Sequence, residues 1–193
     1  KEVPKLNVQI KAPNFEQAMF EIIGTAPLVI HRFDKKTENK LRLKAETGKS
    51  ADSKKERIPQ DSDLKFNEAR YISKEGWDGF NAGAIRAAMI SACRLVNFKM
   101  TLAKMSVFVL ADGYDAKQPQ IPLVRIVGKA IRQDDVARVE TGQPYVTIRA
   151  AYHDWRAKIR IRWDADQFSI ADVTNLLARV GEQYPIGLAL RDD

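Results

Sequence analysis

The 193-residue chain has a single cysteine, Cys93, and two histidines, His31 and His153. One thiol excludes an intramolecular disulfide and any zinc site built from several cysteines. Cys93 lies inside an apolar helical pattern, where an inert buried thiol is expected. Two histidines leave little for metal chemistry. Asp34 and Asp154 neighbour them in sequence, but no metal-ligand set is assigned and no cofactor is expected. No GxSxG, Cys–His–Asn or Ser-x-x-Lys pattern marks a nucleophile. No run approaches the ~18 apolar residues of a membrane span. No signal-peptide pattern opens the sequence. The expectation is a reducing, cytoplasmic setting with no membrane partner.

What the chain does have is positive charge. Lys and Arg number 32 against 25 acidic residues, a net +7, with a pI near 9.5. Such a balance suits a polyanionic partner through counterion release, or serves solubility alone. The position of the charge decides between them. Its clearest pattern is the stretch 145–163, YVTIRAAYHDWRAKIRIRW. There Lys158, Arg160 and Arg162 alternate with Ile159, Ile161 and Trp163. A strand has period 2, so this sequence writes one apolar face and one basic face. Arg149 and Arg156 belong to the same stretch.

The remaining periodicities place the other elements. Ala18–Ile23 reads as a first strand, broken at Gly24 and Pro27 and possible to resume at Leu28–Ile30. Residues 31–78 are polar and charged, too poor in large apolar side chains for a core of their own. They read as a projecting insertion in a single domain spanning 1–193. Asn81–Asn97 reads as a helix with Asn81 as N-cap and a stripe of Ile85, Ala88, Met89, Ala92, Cys93 and Val96. Arg86 and Arg94 lie off that stripe. Ser106–Leu110 reads as a strand. Residues 113–144 read as a second insertion, with Leu123–Ile131 in a side hairpin and Arg132–Gln143 a polar loop. Ser169–Val180 reads as a helix with Ser169 capping, Asp172 at the capping-box position and Gly181 as C′. Leu188–Leu190 begins a last strand. The fold class is α+β. The element order is that of a ferredoxin-like or RRM-like βαββαβ sheet, with two helices on one face and long insertions.

Two motifs bear on chemistry. His31-Arg32-Phe33-Asp34-Lys35-Lys36 gathers a base, an acid and several cations in one loop. His31 or Asp34 would serve a ribonuclease as acid or base. Alternatively, His31 and Phe33 stack on bases while Arg32, Lys35 and Lys36 hold phosphates, or the loop is simply exposed. Aromatics and cations also interleave at Arg70-Tyr71, Lys74 and Trp77, and again at Tyr152, His153, Trp155 and Arg156. The consensus RRM signature is absent: Arg160 and Arg162 stand where aromatics would, which predicts backbone contact over base stacking on the sheet.

Together these pieces resemble the RAMP superfamily, the RRM-fold proteins of CRISPR effector complexes in antiviral defence. The likeness is greatest to the subunits that polymerise along the guide RNA. It rests on Gly24-Thr25-Ala26-Pro27-Leu28 after the first strand, the long basic insertion, and a helix introduced by Phe80-Asn81-Ala82-Gly83-Ala84-Ile85-Arg86. It also rests on Val180-Gly181 and Ile186-Gly187-Leu188-Ala189-Leu190-Arg191. It covers most of the layout with few identities, and the last loop is poorer in glycine than the family's usual form. The resemblance implies a ribonucleoprotein filament on single-stranded RNA, with copies of itself and other effector subunits as partners. In some members an Asp after the first strand cuts target RNA; Asp34 lies in that loop, in a sequence unlike the cleaving type. The expectation is a non-catalytic, sequence-independent RNA-binding subunit. Its contacts would be His31, Arg32, Phe33, Lys35, Lys36, Arg86, Arg94, Arg149, Arg156, Lys158, Arg160 and Arg162. The rivals are a RAMP-type endoribonuclease, a single-stranded DNA-binding or annealing protein, and a virion-type assembly subunit.

Overall fold

The computed structural model describes residues 10–32, 42–43, 45–46, 61–138 and 144–182. Phe33, Asp34, Lys35, Lys36 and the Leu188–Leu190 run lie outside them. The elements in chain order are β1 Phe15–Ile23, β2 Leu28–Ile30, α1 Ser62–Ala69, β3 Tyr71–Ile72, β4 Asp78–Asn81, α2 Ala82–Ala92, a 3-10 turn Cys93–Val96 and α3 Met100–Ser106. Then follow β5 Val107–Leu110, β6 Gly113–Tyr114, β7 Pro122–Val127, β8 Ile131–Arg138, β9 Pro144–Tyr152, β10 Arg156–Asp164 and α4 Ile170–Glu182. The fold is α+β, with two antiparallel sheets.

Strand β10 is the axis of the first sheet. It pairs with β1 over nine residues, from Phe15↔Asp164 to Ile23↔Arg156. Its other edge is shared: β5 takes Arg160–Trp163 and β7 takes Arg156–Ala157. The order continues from β7 to β4 and β3, with β6 also on β7. The alternation of β10 is realised residue by residue: Ala157, Ile159, Ile161 and Trp163 are buried, and Arg156, Lys158, Arg160 and Arg162 are exposed. Under the buried face lie Ile85 and Met89 of α2 and Val173, Leu176 and Leu177 of α4. The second sheet has the order β2–β9–β8.

Several boundaries differ from the sequence reading, each for a local reason. Leu28–Ile30 does not resume β1. It pairs with Ala150–Tyr152 of β9, because the chain turns at Gly24–Pro27. There Trp155 Nε1 donates to Ala26 O at 2.9 Å, and the Gly24 N–H donates to Trp155 O at 2.9 Å. A Cβ on Gly24 would stand 2.0 Å from that indole nitrogen, so only glycine fits. Pro122–Val127 is a strand of the first sheet, with Leu123–Arg125 paired to β4, and not part of a side hairpin. The expected polar loop contains β8, an edge strand along β9 whose charged side chains suit an unpaired edge. Within 31–78, the end of the segment joins the body: Ala69 is buried and β3 pairs with β4.

Val96 is exposed, because the tightened turn after Ala92 rotates it off the stripe. Asn97, at φ 55°, then ends that turn in the left-handed region that Asn tolerates. Cys93 is buried, and its burial pushes the thiol pKa up. The short helix α3 occupies the gap before β5, so the strand starts at Val107 and not at Ser106. Gly181 is helical, since α4 runs on to Glu182 without a left-handed residue there.

The cap of α4 matches its sequence. Asp172 N–H donates to Ser169 Oγ at 3.2 Å, and Ser169 N–H donates to the Asp172 carboxylate at 2.9 Å. Hydrogen bonds from the Ser169 hydroxyl and N–H hold the Asp172 carboxyl below its usual range. A lowered pKa means stability present above the unfolded value and lost as pH falls. Ser169→Ala is expected to cost about 1 kcal/mol in urea unfolding at neutral pH, and less once Asp172 is protonated. An equal cost at acid pH would show that the pair does not act as a reciprocal cap.

Candidate nucleic-acid interface

The two periodic faces of β10 define the site. Across the open face, Arg156 stands opposite Ile23 and Val127, and Lys158 opposite Glu21. Arg160 stands opposite Met19 and Leu110, and Arg162 opposite Gln17 and Phe108. Cross-strand neighbours share a face, so these side chains form one surface. Successive cations on β10 are roughly 7 Å apart, two strand residues. On this face β7 adds Arg125, while Glu21 and Asp112 supply opposing carboxylates. Arg160 donates to Asp112 at 3.1 Å and to Ala111 O at 2.7 Å. Arg156 and Lys158 have no ion-pair partner among the described residues.

Apolar surface interleaves with the charge. The Arg162 guanidinium lies 4.8 Å from the Phe15 ring centre and 5.6 Å from that of Phe108. Those two rings meet edge to face at 5.9 Å. Met19, Ile23 and Val127 are each at least 60% exposed. Arg125 lies 6.0 Å from the Trp77 ring centre. Between Met19 and Trp77 runs a groove of about 660 Å³ whose lining includes Arg125, Arg156, Lys158 and Arg160. The aromatic company missing from β10 itself is therefore supplied by β1, β5 and the β3–β4 turn. A surface of this kind can hold a polyanion by its cations and flat rings by its aromatics.

The other expected contacts fall elsewhere. Arg32 turns inward: it is 6% exposed, pairs with fully buried Asp115 at 2.9 Å and lies over the Tyr71 ring at 5.2 Å. A guanidinium so enclosed cannot hold a phosphate, which corrects its expected role. His31, beside it, is exposed. Arg86 reaches back to carbonyls at the end of α3 and start of β5, donating to Val107 O at 2.8 Å and to Lys104 O. It also lies over Phe108 at the β5 edge of the sheet. Arg94 donates to Met100 Sδ on the helical side. Arg149 is nearly buried in the second sheet, 3.5 Å from Asp135. The structure thus brings together Arg156, Lys158, Arg160 and Arg162, and separates them from Arg32, Arg94 and Arg149.

The residues that sequence reasoning missed are Phe15, Met19, Phe108 and Arg125; Trp77 stood among the interleaved aromatics, without its place beside β10. The first two follow from starting β1 at Phe15, where period 2 continues through Gln17, Met19 and Glu21. The aromatic–cation interleaving near Tyr152 and Trp155 dissolves, because both rings are in the core. Among the described residues no three metal-ligating side chains come together, and no helix is long and apolar enough to cross a membrane. No protein-family model and no curated protein matches the chain.

Proposed function

We propose that this chain is a non-catalytic subunit that binds single-stranded RNA, without regard to sequence, along the open face of the first sheet. We propose further that it assembles into a ribonucleoprotein filament of the kind built by the guide-RNA backbone subunits of CRISPR effector complexes. The observation that carries the binding reading is the row Arg156–Lys158–Arg160–Arg162, exposed on one side of β10 and flanked by Phe15, Phe108, Met19 and Trp77. Cations position a phosphate backbone without reading bases, and partly exposed rings accept any base.

The strand order adds support for a ferredoxin-like βαββαβ arrangement. β1, β10 and β5 lie side by side and antiparallel, with α2 between β1 and β5 in the chain and α4 after β10. That is the layout expected of the first three strands of such a unit. The filament and the effector-complex partners rest on the family resemblance.

The test is titration of the purified protein with labelled single-stranded RNA across a range of salt. Four phosphate contacts predict a log–log slope of about −3. Single-stranded DNA of the same sequence runs in parallel; equal affinity would broaden the ligand to either nucleic acid. Absence of RNA binding at low salt would overturn the reading.

A further inference from the structure

We propose that Trp77 is a base-stacking station for the strand bound on this face, an inference that rests on the nucleic-acid reading above. The sequence before it, Ser73-Lys-Glu-Gly-Trp77, forms the β3–β4 turn, and Asp78 and Gly79 open β4. Gly76 adopts φ +86°, which a side chain would resist. Ser73 N–H donates to Trp77 O at 2.8 Å, and Trp77 N–H donates to Ser73 Oγ at 3.2 Å. Both backbone groups of Trp77 are thereby fixed.

The ring is placed by two glycines. A Cβ on Gly79 would stand 3.0 Å from the indole, and one on Gly113 would stand 2.7 Å from it. Gly79 is opposite Arg125 and Gly113 is opposite Leu123. The two glycines therefore flank β7 from either side on the open face, and the indole spans that strand between them. Leu123 is fully buried there. The inner contacts of the ring are satisfied, while the half-buried side chain also forms one wall of the 660 Å³ groove. The neighbouring wall residues Arg125, Arg156 and Lys158 are cations. A pre-positioned aromatic beside cations offers a base its stack and the attached phosphate its charge partner. Side-chain order is already present before binding, so little entropy remains to be lost.

The spectroscopy is favourable. Of the three tryptophans, Trp155 is 9% and Trp163 1% exposed. Quenching of intrinsic fluorescence by a bound strand would therefore report Trp77. The experiment titrates wild type, Trp77→Ala and Trp77→Phe with a uridylate homopolymer, with an abasic oligonucleotide of equal length, and with heparin. The expected result is quenching in wild type, and affinity for the homopolymer reduced about 5- to 150-fold in Trp77→Ala. Trp77→Phe is expected to fall between, with affinity for abasic strand and heparin unchanged throughout. A thermal melt shows whether Trp77→Ala folds, and Trp77→Phe carries the test if it does not. Homopolymer binding with no quenching and no loss in the variants would overturn the station and leave the nucleic-acid reading standing. Equal losses for heparin and abasic strand would also overturn it, because they would mark Trp77 as a support for the cations. No homopolymer binding by wild type would remove the nucleic-acid reading, and the station with it.

Discussion

Replacing Arg156, Lys158 and Arg162 together by Gln is expected to weaken single-stranded RNA binding about 100-fold at roughly 0.1 M salt. For a single strand each phosphate contact contributes about 0.7 to the slope of log affinity on log salt. At a tenth molar that is about fivefold per contact, and three contacts multiply. The slope should fall by about 2 in the same variant. Arg160 is left in place because it holds Asp112 and the Ala111 carbonyl; its loss would confound binding with local rearrangement. The three chosen side chains stand on the face away from the core. Ala157, Ile159, Ile161 and Trp163 still specify the strand, so the unfolding midpoint should change little. Unchanged affinity with an unchanged slope would reduce this strand to a solvated sheet face and remove the proposed function.

The strand that matters most was legible in the sequence because its code is strict. Period-2 alternation over Arg156–Trp163 allows one register against a core, and burial follows it at every position. The cap at Ser169 and the N-cap at Asn81 were legible for the same reason: they are local hydrogen bonds with fixed spacing. What sequence could not give was the lateral order of strands. β5 and β7 share one edge of β10, and that division decides that Phe108 sits beside Arg162 while Val127 sits beside Arg156. Nor could it separate inward cations from outward ones. Arg32 and Lys158 look alike in composition, yet one meets a buried carboxylate and the other solvent. The platform under Trp77 needed Gly79 and Gly113, 34 residues apart in the chain, to be brought to the two sides of one strand.

Arg32 supplies the second large effect. Asp115→Ala is expected to lower the free energy of unfolding by about 3–5 kcal/mol, because it leaves a buried guanidinium without its counter-charge. The pair is enclosed: Arg32 is 6% exposed and Asp115 0%. Both terminal guanidinium nitrogens reach the carboxylate, Nη1 at 3.1 Å and Nη2 at 2.9 Å. Asp115 also accepts the N–H groups of Lys117 and Gln118, and Arg32 N–H donates to Ala69 O at 3.2 Å. The contact therefore ties the chain leaving β2, in the second sheet, to the end of α1 and to the turn after β6 in the first. Small domains have only about 5–15 kcal/mol in total, so the single variant should be close to unfolding under mild denaturant. The double replacement Arg32→Met, Asp115→Leu removes both charges and should recover a substantial part of the loss, since apolar pairs of similar volume often substitute for a buried ion pair. A phosphate-binding Arg32 predicts the reverse: a stable Arg32→Met with weakened RNA affinity. Denaturant titration and RNA binding, measured on the same three variants, separate a clasp between sheets from a ligand contact.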